Sequence, residues 1–153
     1  MAYNELPFTE REQSLGDMAE SVFEKYCNYN NIIFENFGQN HSPLNQICIN
    51  AYIRGRPDYI CENRIVSFVE CKGVGSDGIF KFKLKSREAL DHWKEYHPIA
   101  LFIYNSHKQE ICFMKYDTFL DILPGMEIKA FHEGNEYWAI PTTALQWEQV
   151  TYL

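Results

Sequence analysis

A pair of carboxylates and a lysine form the most informative pattern in this chain. Asp58 follows Pro57, and twelve residues later Glu70 and Lys72 stand two positions apart in an apolar stretch. Side chains two apart on a strand share a face, so Glu70 and Lys72 are predicted to lie side by side. Asp58 reaches Glu70 if the strand before them pairs antiparallel with theirs. Two adjacent carboxylates repel, and Mg²⁺ or Mn²⁺ would relieve that repulsion and activate a water for phosphodiester hydrolysis.

The first half of the chain is predicted to supply a helix and the strands that carry these residues. Apolar side chains from Leu15 to Tyr26 recur at three- and four-residue steps, and Thr9 with Glu12 forms a capping box, which together indicate a helix over residues 10–26. Strands are predicted over residues 32–37, 58–61, 64–71 and 80–84. Residues 62–63 are the predicted hairpin turn, and a polar loop is predicted over residues 39–46. A second loop, which contains three glycines, is predicted after residue 72.

The second half predicts a further helix and a central strand. Ser86 is a candidate cap for a helix that Pro98 stops. The uninterrupted apolar run at residues 99–104 predicts a strand buried on both faces. A strand over residues 111–115, a short helix over 118–123 and a hairpin around 132–135 follow. The order predicts an α/β fold with a mixed sheet flanked by helices.

Composition predicts one domain spanning residues 1–153. The chain is 46% hydrophobic and 16% aromatic, which is ample for a core. The five cysteines are odd in number and form no Cys-x-x-Cys pair, so we expect reduced thiols, mostly buried. The chain contains no membrane-length apolar run and no signal-peptide profile, so a soluble, cytoplasmic protein with no membrane partner is expected.

Positive charge is concentrated next to the carboxylate pair. The net charge is −7, yet residues 72–94 contain six basic and three acidic side chains. Lys81, Lys83 and Lys85 alternate with Phe82 and Leu84, so a strand would present them on one face, where they could follow a phosphate backbone. The alternative explanation is that lysines protect an edge strand against aggregation.

These residues and elements resemble the PD-(D/E)XK nuclease superfamily, whose fold is restriction-endonuclease-like. Pro57-Asp58 is similar to its first motif and Glu70-x-Lys72 to its second, and the predicted order is similar to its α-β-β-β-α-β core. The resemblance covers residues 10–116 and leaves residues 117–153 as a small β-rich extension. It implies that Asp58, Glu70 and the Cys71 carbonyl bind Mg²⁺ or Mn²⁺ and that Lys72 is the catalytic cation. Gly16-x-x-x-Glu20 resembles the superfamily's helix element, so Glu20 is either a further catalytic metal ligand or an ordinary solvated glutamate.

The resemblance implies a metal-dependent endonuclease, with DNA favoured over RNA as the partner. Small stand-alone nucleases of this kind commonly work as dimers, so a homodimer is also implied. The other hypothesis is a nuclease-fold binding or inhibitor protein with little or no catalytic activity, which the acidic remainder of the surface favours. His41 stands in the polar loop and is interpreted as either a loop residue or a metal ligand.

Overall fold

The computed structural model describes residues 8–38 and 50–153, and these ranges contain four α-helices and nine β-strands. In chain order the elements are α1 (Phe8–Tyr29), β1 (Ile33–Asn36), α2 (Ala51–Arg54), β2 (Tyr59–Asn63), β3 (Ile65–Val74), β4 (Ile79–Lys83), α3 (Leu84–Trp93), β5 (Ile99–Asn105), β6 (Glu110–Lys115), α4 (Tyr116–Leu120), β7 (Glu127–Ala130), β8 (Glu136–Pro141) and β9 (Glu148–Gln149). Single 3₁₀ turns at Leu123–Gly125 and Thr142–Ala144 flank the last hairpin.

The larger sheet is mixed and has the strand order β1-β2-β3-β5-β6-β9. β3 and β5 run parallel, and every other neighbouring pair in this sheet is antiparallel. A parallel pair needs a crossover connection, which β4 and α3 provide here. The fold class predicted from the sequence, a mixed α/β protein with a sheet and flanking helices, is therefore confirmed at this level.

Strand β5 lies at the centre of this sheet and divides the core into two layers. Leu101 and Ile103 point toward the layer that contains α3, α4 and the smaller sheet, whereas Phe102 and Tyr104 point toward α1. Alternate side chains of a strand point to opposite faces, so an apolar run is stable only where both faces are covered. The central strand predicted at residues 99–104 is confirmed.

The smaller sheet has the order β4-β8-β7 and joins the C-terminal part of the chain to the core. β8 pairs antiparallel with both β4 and β7. Leu123, Ile140 and Leu145 are buried in the same layer as Phe82 and Leu90. Residues 117–153, predicted as a small C-terminal extension of the single domain, thus contribute part of the main hydrophobic core, and β9 adds the last strand to the larger sheet.

Most elements agree with the sequence patterns, but five local predictions are wrong. Thr9 does not cap the first helix, because α1 already includes Phe8. β3 continues through Gly73 to Val74, where a glycine-containing loop was expected. Glu62 and Asn63 do not form the turn: Asn63 still pairs with Ile65, and the chain reverses at Arg64, where φ is 69°. Ser86 is not the helix cap, because α3 begins two residues earlier, directly after Lys83. The alternation predicted over residues 80–84 ends at Lys83, and this strand joins the smaller sheet. The strand pairs there because the aromatic side chains of Phe80 and Phe82 lie opposite the apolar Ile140 and Trp138 of β8.

Four cysteines, Cys27, Cys61, Cys71 and Cys112, are buried free thiols, as expected from their spacing. Cys48, His41 and the predicted polar loop lie outside the described residues. No helix within residues 8–38 or 50–153 combines the length and the hydrophobicity that a membrane span requires.

Candidate active site

The pairing of β2 with β3 brings Asp58 next to Glu70. Tyr59 pairs with Val69, so Asp58 and Glu70 are the next residues toward the end of this ladder. The Cys71 backbone N–H donates to Asp58 Oδ2 at 2.8 Å. The Asp58 carbonyl accepts hydrogen bonds from the backbone N–H groups of residues 37 and 38, at 2.9 and 3.1 Å. Both the backbone and the side chain of Asp58 are therefore held in place.

Glu70 and Lys72 lie side by side on β3, and Lys72 Nζ is 2.8 Å from Glu70 Oε1. Val69 and Cys71 point into the α1 layer, so the face predicted for the charged pair is confirmed. Asp58 and Glu70 are only 8% and 9% exposed. Glu70 Oε2 is buried and has no hydrogen-bond partner in the described part of the chain. A buried carboxylate oxygen without a partner is costly unless a cation or a donor occupies the space beside it.

Burial and the charged neighbours shift the pKa values of Asp58 and Lys72. The pKa of Asp58 is raised well above its ordinary value, first by burial and then by repulsion from Glu70; Lys72 and the Cys71 N–H partly oppose the rise. Burial alone would lower the Lys72 pKa, but attraction to Glu70 and Asp58 outweighs burial and raises it. The site thus contains an ammonium that stays charged and an aspartate that resists ionisation while no further positive charge is present.

Glu20 of α1 is the third buried carboxylate of the site. It is 6% exposed, lines the same cleft as Asp58 and Glu70, and contributes to the raised pKa of Asp58. Glu24, one turn further along α1, instead accepts a hydrogen bond from the Tyr59 hydroxyl at 3.1 Å. The interpretation of Glu20 as a solvated surface residue is therefore wrong.

Helix α1 packs close to β3 because residue 73 is glycine, and this close approach allows Glu20 to enter the cleft. A Cβ at Gly73 would lie 2.9 Å from both the Cβ and the carbonyl oxygen of Leu15. Any larger residue would push α1 away from the strand. Gly73 therefore helps to set the position of Glu20 relative to Lys72.

Cys71 can contribute to this site only through its backbone. Its thiol is buried in the α1 layer, and burial raises the pKa of that thiol well above its ordinary value. The N–H and C=O of one strand residue point the same way, and the Cys71 N–H points toward Asp58. The Cys71 carbonyl is thus directed to the same edge of β3 as the Asp58 carboxylate.

An open cleft of about 1150 Å³ contains this site. Apart from the three site carboxylates, two acidic and six basic side chains line it: Asp77, Glu88, Arg54, Arg56, Lys72, Lys81, Lys83 and Lys85. The chain as a whole carries a net charge of −7, so basic residues are concentrated in this cleft. A polyanion would therefore meet attractive walls here on an otherwise acidic protein.

Arg54, Arg56 and Phe131 belong to the cleft, although the sequence patterns did not single them out. Arg56 directly precedes the Pro57-Asp58 pair, which was an available signal. Its Nε donates to the Phe37 carbonyl at 2.9 Å, so it also braces the segment beside Asp58. Phe131 follows a hairpin strand far along the chain, and no local pattern relates it to the site.

Lys81, Lys83 and Lys85 all line the cleft, but only two of them extend from a strand. Lys85 lies in the first turn of α3, so the regular spacing predicted for the three lysines does not reach it. β4 is also an edge strand of the smaller sheet. Both explanations considered for the lysines, phosphate contact and protection of an edge, are thus compatible with their position.

Among the described residues, no group of three or more His, Cys, Asp or Glu side chains is arranged to hold a metal ion. Mg²⁺ is commonly bound through one or two carboxylates together with water and substrate phosphate oxygens, so the Asp58–Glu70 pair still suits it. No model of a known protein family matches this chain, and a search of curated proteins finds no relative.

Proposed function

We propose that this protein is a divalent-metal-dependent endonuclease that hydrolyses phosphodiester bonds in nucleic acid, with DNA as the favoured substrate. The observation that carries the proposal is the burial of Asp58 and Glu70 side by side in a cleft, where Lys72 lies 2.8 Å from Glu70 and one Glu70 oxygen has no hydrogen-bond partner among the described residues. Two buried carboxylates next to one ammonium leave an excess of negative charge. A bound divalent cation offsets that excess.

The donor set favours a hard cation. Asp58, Glu70, the Cys71 carbonyl and Glu20 are all oxygen donors, and oxygen donors suit Mg²⁺ and Mn²⁺. The pKa of Asp58 is raised when no cation is present. A cation beside the carboxyl would favour its ionised form and so offset this rise. When bound, the cation would lower the pKa of a water and polarise a phosphate oxygen.

Each side chain of the site then has a separate task. Asp58 and Glu70 hold the cation, and their positions are set by the hydrogen bond from Cys71 N–H and by the ion pair with Lys72. Lys72 places a fixed positive charge beside the reacting phosphate, where negative charge develops during hydrolysis. Glu20 lines the same cleft and adds a third negative charge near Asp58, which increases the attraction of the cleft for a cation.

The element order also supports the proposal. α1, β1, β2, β3, α3 and β5 follow the α-β-β-β-α-β order of the restriction-endonuclease-like core, with α2 and β4 as additions. The charged pair lies on the strand that joins an antiparallel and a parallel neighbour. Charged side chains are rarely buried on an inner strand of a sheet, so a functional role explains this pair better than a role in stability does.

A digestion assay with labelled substrates tests the proposal. Linear duplex, circular, branched and single-stranded DNA, and single-stranded RNA, would each be incubated with Mg²⁺, Mn²⁺ or EDTA. We expect wild-type protein to cut at least one DNA substrate with metal and none with EDTA, and we expect Asp58→Asn to cut none. Asp117→Asn is the matched control, because the Asp117 side chain is 85% exposed and lies outside the cleft.

The outcomes also separate the competing hypothesis. Cutting in EDTA, or equal cutting by Asp58→Asn, would refute metal-dependent catalysis at this site. Tight binding of nucleic acid or protein without any cutting by wild type would favour the binding or inhibitor protein instead.

A further inference from the structure

The outer face of the smaller sheet combines lysines with aromatic rings. Residues that pair directly across strands share a face, and Lys83 pairs with Tyr137, which in turn pairs with Lys129. Lys81 lies beside Lys83 on the same face of β4. The opposite face carries Phe80, Phe82 and Ile140, which are buried in the core. We call the outer set, Lys81, Lys83, Lys129, Phe131 and Tyr137, the lysine–aromatic face.

Phe131 is the ring of this face that a ligand can reach. Its centroid lies 4.2 Å from that of Tyr137, which is buried beneath it. The ammonium groups of Lys81 and Lys83 lie 5.9 and 5.4 Å from the Phe131 centroid. Phe131 is half-buried and lines the cleft. The face therefore presents one aromatic ring with two ammonium groups close to it.

The lysine–aromatic face is continuous with the candidate active site. The cleft that contains Asp58, Glu70 and Lys72 is also lined by Lys81, Lys83 and Phe131. Side chains two apart on a strand are separated by about 6.6 Å, so Lys81 and Lys83 can contact successive phosphates of an extended chain. A polynucleotide strand held at the site can thus extend along β4 without leaving the cleft.

We propose that the lysine–aromatic face binds an unpaired, single-stranded segment of the substrate, with a base stacked on Phe131 and its phosphates on Lys81 and Lys83. The role of this segment in cutting rests on the function proposed above. A duplex buries the faces of its bases in its own stack, so only an unpaired base can stack on a protein ring.

Binding of a base on Phe131 would displace the ammonium groups of Lys81 and Lys83 from the ring. Exposed contacts between an ammonium and an aromatic ring are weak, and so is the partly exposed ion pair between Lys81 and Asp77 at 3.0 Å. Both lysine heads are carried on flexible stems and can move from the ring to phosphates when a base occupies it. The substrate class that follows is single-stranded nucleic acid, or duplex with a single-stranded overhang or branch.

Fluorescence anisotropy in EDTA measures this binding without cutting. The probes are a labelled 12-nucleotide oligothymidine and a blunt duplex of equal length. We expect Phe131→Leu to weaken binding of the single strand by about 5- to 150-fold, the loss of one stacked base, and to leave duplex binding within about twofold. Phe131→Trp should retain the single-strand affinity, because it keeps a stacking ring. Lys83→Gln should weaken single-strand binding, whereas its charge-matched control Lys108→Gln, outside the cleft, should not.

Melting temperatures within about 2 °C of wild type would qualify each variant for comparison. Equal single-strand affinity of Phe131→Leu and wild type would overturn the proposal. So would an equal loss for single strand and duplex in both Phe131 variants, because the ring would then only support the hairpin.

A second arm with Mg²⁺ separates this proposal from the proposed function. If wild type binds the single strand through Phe131 but cuts no substrate with Mg²⁺ or Mn²⁺, the proposed nuclease function is refuted and the proposed binding face is supported. If Phe131→Leu cuts both overhang and blunt substrates at the wild-type rates, the proposed nuclease function is supported and the proposed binding face is refuted.

Discussion

Replacing Asp58 by asparagine should change stability in opposite directions with and without metal. The variant keeps the size of the side chain and an oxygen that can accept the 2.8 Å hydrogen bond from the Cys71 N–H. It removes a buried carboxyl whose pKa is raised first by burial and then by repulsion from Glu70. Without metal we therefore expect Asp58→Asn to be more stable than wild type at neutral pH.

The pH dependence of this difference follows from the direction of the pKa shift. A carboxyl with a raised pKa in the folded state binds more protons folded than unfolded, so its favourable contribution is complete below the unfolded pKa, near pH 4. That contribution is lost as the pH rises through the folded pKa. Asparagine does not titrate, so the excess free energy of unfolding of Asp58→Asn in EDTA should grow from about pH 4 upward and then level off.

Metal reverses the comparison. At a concentration 100 times the dissociation constant, a ligand that binds only the folded state adds about 2.7 kcal/mol. The entropy of unfolding of a 153-residue domain is roughly 0.3 kcal/mol per kelvin, so the wild-type melting temperature should rise by about 8 °C. Asp58→Asn, with a neutral amide in place of a ligand, should rise by less than about 2 °C at the same concentration.

Differential scanning fluorimetry with EDTA, Mg²⁺ and Mn²⁺ gives the metal responses, and urea titrations between pH 4 and 8 in EDTA give the pH profile. Asp117→Asn should respond to metal as wild type does. A wild-type response to metal no larger than that of Asp58→Asn would refute the assignment of Asp58 as a ligand. A variant that is less stable than wild type in EDTA at pH 7 would refute the argument from buried repulsion.

Three further variants test other parts of the structure. Lys72→Met should reduce the rate of cutting by about 10²- to 10³-fold, the magnitude known for the loss of one preorganised donor that stabilises a transition-state oxyanion, while the melting-temperature rise with Mg²⁺ remains. Cutting at the wild-type rate would exclude a catalytic role for the lysine. Gly73→Ala should lower stability by about 1–3 kcal/mol in urea titrations because of its overlap with α1, whereas Gly125→Ala, with no atom near the added Cβ, should not; equal stabilities would contradict the close approach. A chain truncated after Asp117 should show no cooperative unfolding by circular dichroism, because it lacks buried core residues from three later segments; a cooperative transition would show that those residues are dispensable.

Periodicity predicted most elements because it reflects burial directly. The three- and four-residue recurrence from Leu15 to Tyr26 corresponds to the face of α1 that packs on the sheet. The run over residues 99–104 corresponds to β5, which is covered on both sides. Predictions based on single residues were less successful. Ser86 is a common capping residue, but the pairing of β4 with β8 decides where the strand ends and where α3 begins.

Residue types and spacing alone specify the candidate site residues and indicate that Glu70 and Lys72 share a face, because side chains of a strand alternate with a period of two whatever surrounds it. Folding of the whole chain places Asp58 opposite Glu70, brings Glu20 rather than Glu24 into the cleft, and positions Phe131 in the same cleft. These relations depend on strand register, on the close approach of α1 at Gly73 and on a sheet formed between distant segments. Such long-range contacts arise when the whole core packs, and the residues next to each one in the chain do not specify it.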